Sequence, residues 1–347
     1  MVADALRADG AEVHFIGGDR AEATLVPDAG YPLHRMRVVS LPRHAPLAAA
    51  RAAWIDSGAL RVAATLLGTI APDVVLGAGG YVAGPVGLAA RLRRIPLVLT
   101  EIDSHLGLTN RLLARNARRV CLALPIAGRT PPKFIVTGRP VAPFLADRAA
   151  ARARFAIPQD AVCVLVFGGS LGARSINDAA IECFADPETF GVRVLHAAGE
   201  RDLPELASPG PHYDLRGYIT DFGDAIAAAD LVIARSGGSV FELAAAGVPS
   251  ILIPYPHATA DHQTTNARYL ADAGAAVLIP DAELTAQRLG ATVAELLGDR
   301  ERLARMGAAA ATLARPDAAR DIAAEVRAAA ASARRRRRGG ATSHGRY

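Results

Sequence analysis

Lysine is nearly absent from this chain, and aromatic residues are scarce. Lys133 is the single lysine, and phenylalanine, tryptophan and tyrosine together make up 5% of the sequence. The formal net charge is +5, which equals the charge of the five consecutive arginines Arg334 to Arg338. The rest of the chain is therefore close to neutral. No aromatic residue is interleaved with these arginines, so the composition argues against a nucleic-acid-binding protein.

Cysteine is equally sparse, and long apolar runs are missing. Cys121, Cys163 and Cys183 are an odd, scattered set without metal-binding spacing, which is typical of reduced structural thiols in the cytosol. No apolar run approaches the roughly 18 residues that a membrane-spanning helix needs, and no signal-peptide pattern is visible. These absences argue against a disulfide-stabilised secreted domain and against a membrane-spanning protein.

The arginine run lies in a C-terminal tail, residues 332–347, which we predict to be disordered. One interpretation is a solvated tail without a partner. Another is attraction to anionic lipid headgroups, which contributes about 1 kcal/mol per arginine near a membrane surface. Trp54, the only tryptophan, has several arginines nearby and is interpreted either as a core residue or as a membrane-surface anchor.

A strand, a glycine-rich turn and a helix follow one another in residues 161–182. β-Branched Val162 and Val164 predict a buried strand, and a helix is predicted from Arg174 onward. The connecting turn, GGSLG, would expose backbone N–H groups at the positive end of the helix dipole, where a phosphate can bind. Ser170 adds a hydroxyl donor. The alternative is a plain turn of an α/β sheet, because a short glycine motif is weakly diagnostic.

A second glycine-rich turn follows the same pattern further along the chain. The predicted strand Leu231–Ala234 leads into Ser236-Gly237-Gly238-Ser239, and a helix closed by Gly247 comes next. Both turns therefore follow the carboxyl ends of strands, where open α/β sheets bind their ligands. This placement favours a ligand site in the second half of the chain.

Two domains of ordinary size fit a chain of 347 residues. Alternating strand and helix patterns predict an α/β fold with parallel sheets. The prolines in TGRPVAPFL break regular structure, so we predict an N-terminal domain at 1–140 and a C-terminal domain at 141–331. The last predicted helix, 317–331, follows Pro316, where the chain can turn back to the first domain. The N-terminal domain begins with a helix, and we expect its first strand and glycine loop to be missing.

Several motifs occur in an order that resembles the MurG family. They are GAGGYVAGPVGLAA, GLTNRLLA, VTGRPV, FGGSLGARSIN and ARSGGSVFELAAAGVPSILIPYPHATADHQTTNA, and the resemblance runs from Ala3 to about Ala276. It implies the GT-B fold, in which two Rossmann-like, doubly wound parallel-sheet domains face a cleft.

The resemblance also implies an inverting glycosyltransferase of peptidoglycan synthesis. Such an enzyme moves N-acetylglucosamine from UDP-N-acetylglucosamine to the 4-hydroxyl of the muramoyl sugar of lipid I, the undecaprenyl-linked muramoyl-pentapeptide, and so forms lipid II. The expected enzyme is metal-independent and uses no cofactor. It is expected to be a peripheral protein at the cytoplasmic face of the cell membrane.

A UDP-N-acetylglucosamine site is part of what the resemblance implies. Ser170 and its neighbouring amides would hold the diphosphate, Ile219 would lie against the uracil, Glu242 would accept both ribose hydroxyls, and Gln263 would contact the sugar. The residues assigned to the site are Asp103, Gly169, Ser170, Leu171, Ile219, Gly238, Ser239, Glu242 and Gln263.

The resemblance assigns no catalytic base to this chain. The family's usual candidate is a histidine in a first glycine loop, which would lie before Met1, and His105 is interpreted as a polar loop residue. Thr100-Glu101-Ile102-Asp103 stands where the family usually has His-Glu-Gln-Asn, so Asp103 replaces an asparagine. Two alternatives therefore stay open. One is a related GT-B transferase acting on another lipid or a small-molecule acceptor, and the other is a non-catalytic UDP-sugar-binding protein.

Overall fold

The chain folds into two compact units. The computed structural model describes residues 1–38, 57–142 and 147–341. Unit 1 comprises Met1–Pro140 together with the segment that begins at Asp317, and unit 2 comprises Val141–Pro316. The junction at Pro140 lies within the proline-containing segment from which the sequence predicted a domain boundary.

Helices and strands alternate along the first part of unit 1. They are α1 Val2–Ala8, β1 Phe15–Gly17, α2 Glu22–Asp28, β2 Leu33–Arg35, α3 Ser57–Ile70, β3 Val75–Gly77, α4 Gly80–Leu92, β4 Leu97–Glu101, α5 Leu108–Leu113, β5 Arg119–Leu122 and β6 Phe134–Val136. The sequence of residues 46–71 is typical of a helix, and α3 covers the second part of this predicted helix. Its first part, with Trp54, lies outside the described residues, so the two interpretations of Trp54 stay open.

The strands of unit 1 form two parallel sheets within the described residues. β1 pairs with β2, and the second sheet has the order β3-β4-β5-β6. Residues of β1 and of β3 both line a cavity of about 1080 Å³. The core beside β4 and β5 is apolar and fully buried because Leu99, Val120 and Leu122 pack against Leu113 of α5.

Unit 2 continues the alternation of strands and helices. Its elements are α6 Arg148–Arg154, β7 Val162–Phe167, α7 Arg174–Cys183, α8 Pro187–Phe190, β8 Val192–Ala197, β9 Tyr213–Arg216, α9 Phe222–Ala228, β10 Leu231–Ala234, α10 Val240–Ala246, β11 Ser250–Leu252, α11 His262–Ala271, β12 Ala276–Leu278, α12 Ala286–Gly298 and α13 Arg300–Thr312.

The strand order of unit 2 creates a switch point beside β7. Its parallel sheet has the order β12-β11-β10-β7-β8-β9, so the chain runs outward from β7 through β8 and β9 and then crosses to β10 on the other side. β7 and β10 are adjacent and parallel, so the turns that follow them lie at the same carboxyl edge of the sheet. These turns lead into helices on opposite faces of the sheet. Open α/β sheets bind ligands at such a point.

The final helix belongs to unit 1. The C-terminal domain therefore ends at Pro316 and not at residue 331 as predicted. This helix, α14, spans Ala318–Ala341. Its buried side chains Ile322 and Val326 form one apolar cluster with Leu6 of α1 and Val98 of β4. Burying an aliphatic side chain of this size contributes about 1.5–3 kcal/mol, which explains why the helix packs on unit 1.

Residues 332–341 are helical rather than disordered as predicted. They continue α14 without a break. Alanine and arginine both have high helix propensity, and the guanidinium of Arg334 forms an ion pair with Asp73. The remainder of the predicted tail, residues 342–347, lies outside the described residues.

The three cysteines are free thiols, as predicted. Cys121 and Cys163 are buried in β5 and β7, and Cys183 is partly buried at the end of α7. Burial raises the pKa of each thiol to about 12, so all three stay protonated near neutral pH and are weak nucleophiles. Among the residues that the structure describes, no helix is both long and apolar enough to span a membrane.

Candidate functional site

The turn Gly168–Gly172 joins β7 to α7 at the carboxyl edge of the unit 2 sheet. Gly169 has a φ of +99° and Gly172 a φ of +76°, conformations that glycine adopts without a steric penalty. A Cβ atom on Gly172 would lie 2.1 Å from the carbonyl oxygen of Ala198 in the loop after β8. Both the backbone conformation and the available space therefore require glycine at position 172.

The same turn presents backbone donors to solvent. Gly169, Ser170 and Leu171 are exposed, and their amide N–H groups have no acceptor within the described part of the chain. The amide of Gly172 donates to the Gly169 carbonyl oxygen at 3.0 Å and closes the turn. α7 begins at Arg174, so these donors lie at the positive end of its dipole. Such an arrangement is suited to an anion and above all to a phosphate.

A buried polar network supports this turn from behind. Asn177 Nδ2 of α7 donates to the Ala198 carbonyl oxygen at 3.0 Å and to Asp202 Oδ2 at 3.1 Å. His196 bonds to Asn177 Oδ1 through Nε2 at 3.1 Å and to the Tyr213 hydroxyl through Nδ1 at 2.7 Å. Burial lowers the pKa of His196 to about 4, so the imidazole is neutral near pH 7. The network fixes the loop after β8 against the first turns of α7.

The second glycine-rich turn joins β10 to α10 and contacts the start of α11. Ser236 Oγ donates to the carbonyl oxygen of Gln263 at 2.7 Å, and Asn266 Nδ2 donates to the carbonyl oxygen of Ser236 at 3.1 Å. The side chain of Gln263 accepts a bond from the amide of Tyr255 through Oε1 at 3.0 Å. A Cβ atom on Gly237 would lie 3.9 Å from Gln263 Nε2, so the amide nitrogen of Gln263 lies beside the turn.

Two consecutive residues before α11 have an uncommon backbone conformation. Ala260 has a φ of +54° and Asp261 a φ of +51°. A left-handed conformation of a residue other than glycine costs about 1–3 kcal/mol and is concentrated at functional sites. Asp261 Oδ1 accepts a hydrogen bond from Thr264 Oγ1 at 2.6 Å, which holds this segment in place. These two residues lead directly into the first turn of α11, where Gln263 lies.

The predicted site residues of unit 2 follow its strands at one edge of the sheet. Gly169, Ser170 and Leu171 follow β7, whereas Gly238 and Ser239 follow β10 and lie in the turn that contacts Gln263. Glu242 is half-buried in the first turn of α10. The structure thus brings Gln263 to the second turn, and the ligand contacts assigned to these residues stay predictions.

Two of the predicted site residues, Ile219 and Asp103, do not lie in exposed turns of unit 2. Ile219 is only 3% exposed, so it offers little surface to a base, and the exposed ring of that segment belongs to Tyr218. Asp103 lies in unit 1 after β4, where its amide donates to Glu101 Oε1 at 3.3 Å. The buried Glu101 also accepts bonds at Oε2 from the Gly107 amide and from Asn110 Nδ2, both at 2.9 Å. Glu101 thus fixes the segment that carries Asp103.

Sequence reasoning did not single out Arg235, Ser175 and Asp281. In the structure they form a hydrogen-bonded cluster at the same sheet edge as the two glycine-rich turns. Arg235 lies inside the ARSGGSVFE motif, directly after the fully apolar strand β10. A charged residue directly after a buried strand is the sequence signal for this cluster. A buried charge needs hydrogen-bond or ion-pair partners, so such a residue predicts other polar groups around it.

The comparisons with known proteins agree over most of the chain. The family models for the N-terminal and C-terminal domains of glycosyltransferase family 28 match residues 1–122 and 163–322. A Salinibacter ruber protein named UDP-N-acetylglucosamine--N-acetylmuramyl-(pentapeptide) pyrophosphoryl-undecaprenol N-acetylglucosamine transferase is 44% identical over 340 residues, which covers 94% of this chain and 91% of that protein. A Halorhodospira halophila protein of the same name is 42% identical over 324 residues, covering 91% and 90%.

A solved structure agrees with these sequence relatives. The crystal structure of Acinetobacter baumannii MurG superimposes with a TM-score of 0.75 at 28% identity, covering 94% of this chain and 93% of that chain. The resemblance and the GT-B fold predicted from the sequence are thus confirmed. The chain belongs to the MurG family of glycosyltransferases, within glycosyltransferase family 28.

Proposed function

We propose that this protein transfers N-acetylglucosamine from UDP-N-acetylglucosamine to the 4-hydroxyl of the muramoyl sugar of lipid I, giving lipid II for peptidoglycan synthesis. The observation that carries the proposal is the exposed turn Gly168–Gly172 at the start of α7, whose outer amides have no acceptor among the described residues. Such a turn binds the diphosphate of a nucleotide sugar. The chain is also 44% identical to a transferase named for this reaction.

In the proposed reaction the acceptor oxygen attacks C1 of N-acetylglucosamine in line with the departing group. A bond forms between that oxygen and C1, the bond from C1 to the diphosphate oxygen breaks, the proton of the 4-hydroxyl passes to a general base, and the configuration at C1 is inverted. UDP leaves with increasing negative charge, which the amides near Ser170 and the dipole of α7 stabilise. Removing one such donor typically costs about 2.7–4 kcal/mol of transition-state stabilisation.

The remaining contacts follow from the chemistry of the side chains. The carboxylate of Glu242 offers two acceptor oxygens, which suit the two ribose hydroxyls of UDP. Gln263 has Oε1 occupied by the Tyr255 amide, so its Nε2 is the group available to a sugar oxygen. We expect no metal to be required because the amide donors and the dipole of α7 stabilise the negative charge of the leaving UDP. Activity that persists in EDTA is the expected result, and loss of activity restored by Mg²⁺ would contradict it.

The second candidate is a related transferase with another acceptor, and the segment Thr100–Asp103 favours it. Asp103 carries a carboxylate where the family usually has asparagine. The test supplies UDP-N-acetylglucosamine bearing a labelled sugar with either lipid I or diacylglycerol. Label in lipid II alone supports the first proposal, and label in the glycolipid alone supports the second. Saturable UDP-sugar binding without transfer to either acceptor favours a non-catalytic binding protein.

We also propose that the protein works as a peripheral protein at the cytoplasmic face of the cell membrane. The end of α4 supports this location, since Leu92 is 65% exposed and is flanked by the exposed arginines Arg91, Arg93 and Arg94. Arginines next to an exposed apolar side chain suit an anionic lipid surface. We expect sedimentation with phosphatidylglycerol vesicles that weakens as salt increases. Equal binding to phosphatidylcholine vesicles would contradict the electrostatic part of this proposal.

A further inference from the structure

Arg235 forms a buried junction at the carboxyl edge of the unit 2 sheet. It follows β10 directly and is 8% exposed. Its Nη1 donates to the carbonyl oxygens of Ile253 at 3.2 Å and Pro254 at 3.1 Å, which follow β11, and to Asp281 Oδ1 at 2.5 Å beyond β12. Its Nη2 donates to Ser175 Oγ of α7 at 3.0 Å. One side chain therefore connects the segments that follow four neighbouring strands.

One arm of this junction fixes the start of α7. Ser175 is the second residue of α7, three residues after Gly172. Its hydroxyl accepts from Arg235 and donates to Asp281 Oδ1 at 2.8 Å, so the three side chains form a closed ring of hydrogen bonds. Hydrogen bonds to charged groups are roughly twice as strong as those between neutral groups. The ring therefore sets the direction in which α7 presents its N-terminal amides.

The other arm fixes Gln263 from two directions. Tyr255 follows Pro254, its amide donates to Gln263 Oε1 at 3.0 Å, and its ring centroid lies 5.5 Å from the guanidinium of Arg235. Ser236 follows Arg235 and donates to the carbonyl oxygen of Gln263 at 2.7 Å. Gln263 is thus held by Ser236, the neighbour of Arg235, and by Tyr255, the neighbour of its hydrogen-bond acceptor Pro254.

We propose that Arg235 is a positioning residue that sets the diphosphate turn and Gln263 in a fixed relation, so that a nucleoside-diphosphate sugar is held at its diphosphate and at its sugar together. This inference rests on the proposed function. Arginine is required because its rigid plane of five N–H donors reaches acceptors on several sides, whereas the single ammonium group of lysine cannot. Arg235 touches neither ligand nor reacting atoms in this role.

The primary test is the substitution Arg235→Lys, with Arg152→Lys as its matched control. Arg152 is 3% exposed and bonds to Asp230 at 2.7 Å and to the carbonyl oxygens of Ala228, Pro158 and Gln159. Asp230 precedes β10, so Arg152 is an equally buried junction at the opposite end of that strand. Both substitutions keep the charge and remove hydrogen bonds, and we expect similar losses in Tm.

Calorimetric titration distinguishes a positioning role from a general effect on stability. We expect Arg235→Lys to weaken UDP-N-acetylglucosamine binding by at least about tenfold, and Arg152→Lys to change it by less than about twofold. The preference for UDP-N-acetylglucosamine over UDP should also fall with Arg235→Lys. Parallel losses of affinity in both variants, or unchanged affinity in Arg235→Lys, would overturn the proposal.

A second variant keeps the proposal testable if Arg235→Lys does not fold. Ser175→Ala removes the α7 arm and leaves the Arg235–Asp281 ion pair intact, so we expect weaker binding of UDP and of UDP-N-acetylglucosamine by similar factors. Unchanged binding of UDP by Ser175→Ala would overturn the role of that arm. Failure of the unmodified protein to bind UDP-N-acetylglucosamine would instead count against the proposed function, which separates the two claims.

Discussion

Glu242 is the residue whose proposed role depends most on its charge. We expect Glu242→Ala to weaken UDP-N-acetylglucosamine binding about 10- to 100-fold, because hydrogen bonds to a charged group contribute about 1.5–3 kcal/mol. Calorimetric titration measures this change. Glu301→Ala is the control, since Glu301 occupies the first turn of α13 as Glu242 occupies that of α10 and its side chain is 91% exposed. Equal affinities of the Glu242 and Glu301 variants would contradict the ribose contact.

His196 predicts a pH dependence of stability. Its pKa is about 4 in the folded protein because of burial, and about 6.5 in an unfolded chain. The unfolded state therefore binds a proton at higher pH than the folded state does. The free energy of unfolding is unaffected at pH 7 and decreases as the pH falls from about 6.5 to about 4. The loss is on the order of 3 kcal/mol.

Urea unfolding at several pH values measures this loss. His196→Gln replaces the titrating ring with a neutral amide and should reduce the decline in stability between pH 6.5 and pH 4, whatever its cost at pH 7. Tyr213 and Asn177 bond to the imidazole, and Asp202 lies beyond Asn177. An equally steep decline in the variant would assign the pH dependence to other groups.

At the residue scale, sequence reasoning succeeded where a backbone conformation demands one residue type. Gly169 and Gly172 were identified by the turn they build, and both have positive φ. Arg235 and Ser175 escaped notice because their roles depend on strands that are neighbours only in the folded sheet. Ile219 was assigned a base contact without its burial being predictable, since burial is set by tertiary packing rather than by local sequence. The assigned ligand contacts stay predictions.

The element that tests the diphosphate site most sharply is the turn before α7. We expect Gly172→Ala to destabilise unit 2 by at least about 2 kcal/mol, because a Cβ atom would lie 2.1 Å from the Ala198 carbonyl oxygen at a φ of +76°. Gly191→Ala is the control. Gly191 has a φ of +60°, and a Cβ atom there would meet no atom of another described residue within 4 Å, so only backbone strain is added.

Denaturant unfolding and UDP binding should be measured on both glycine variants. Gly172→Ala should lose more stability than Gly191→Ala and should also lose affinity for UDP, because the turn must move to relieve the overlap. Gly191→Ala should retain the affinity of the unmodified protein. Similar behaviour of the two variants would show that the close approach to Ala198 does not determine the turn geometry.

At the element scale, the strands of unit 2 were predictable because their apolar runs are continuous. β7 and β10 are buried on both faces, so Val162–Phe167 and Leu231–Ala234 carry almost no polar residues. The C-terminal end of α14 was not predictable in the same way, whereas its predicted start at residue 317 is one residue from the observed start at Ala318. Alanine and arginine extend the helix into the segment expected to be a tail, and the ion pair of Arg334 with Asp73 joins residues far apart in sequence.

For the whole molecule, the division into units predicts what removal of residues 317–347 would do. This segment buries Ile322, Ala323, Val326 and Ala329 in the core of unit 1. We expect the truncated protein to lose several kcal/mol of stability in unit 1, at about 1.5–3 kcal/mol for each large aliphatic side chain. Hydrogen exchange should show faster exchange in α1 and β4 and unchanged protection in β7 and β10. Faster exchange in β7 and β10 instead would contradict the assignment of α14 to unit 1.

The chain passes between the two units twice, and the sequence predicted the first crossing better than the second. Prolines identify the crossing at Pro140, since they break regular structure locally. Pro316 indicated the point where the chain can turn back to the first domain, and the segment from Asp317 does belong to unit 1. The predicted range 141–331 for the C-terminal domain was nevertheless wrong, because the core that the apolar face of α14 covers is set by the folded structure. The family, in contrast, was recognisable from the sequence because its motifs extend over both domains.

Calorimetric titration of this protein with UDP-N-acetylglucosamine tests the proposed diphosphate site most directly. We expect saturable binding at one site per chain, competition by UDP, and weaker binding by Gly172→Ala and Glu242→Ala than by the unmodified protein. A folded protein that binds neither UDP-N-acetylglucosamine nor UDP would contradict this expectation, because the exposed amides at Gly169–Leu171 would then have no role in holding a diphosphate.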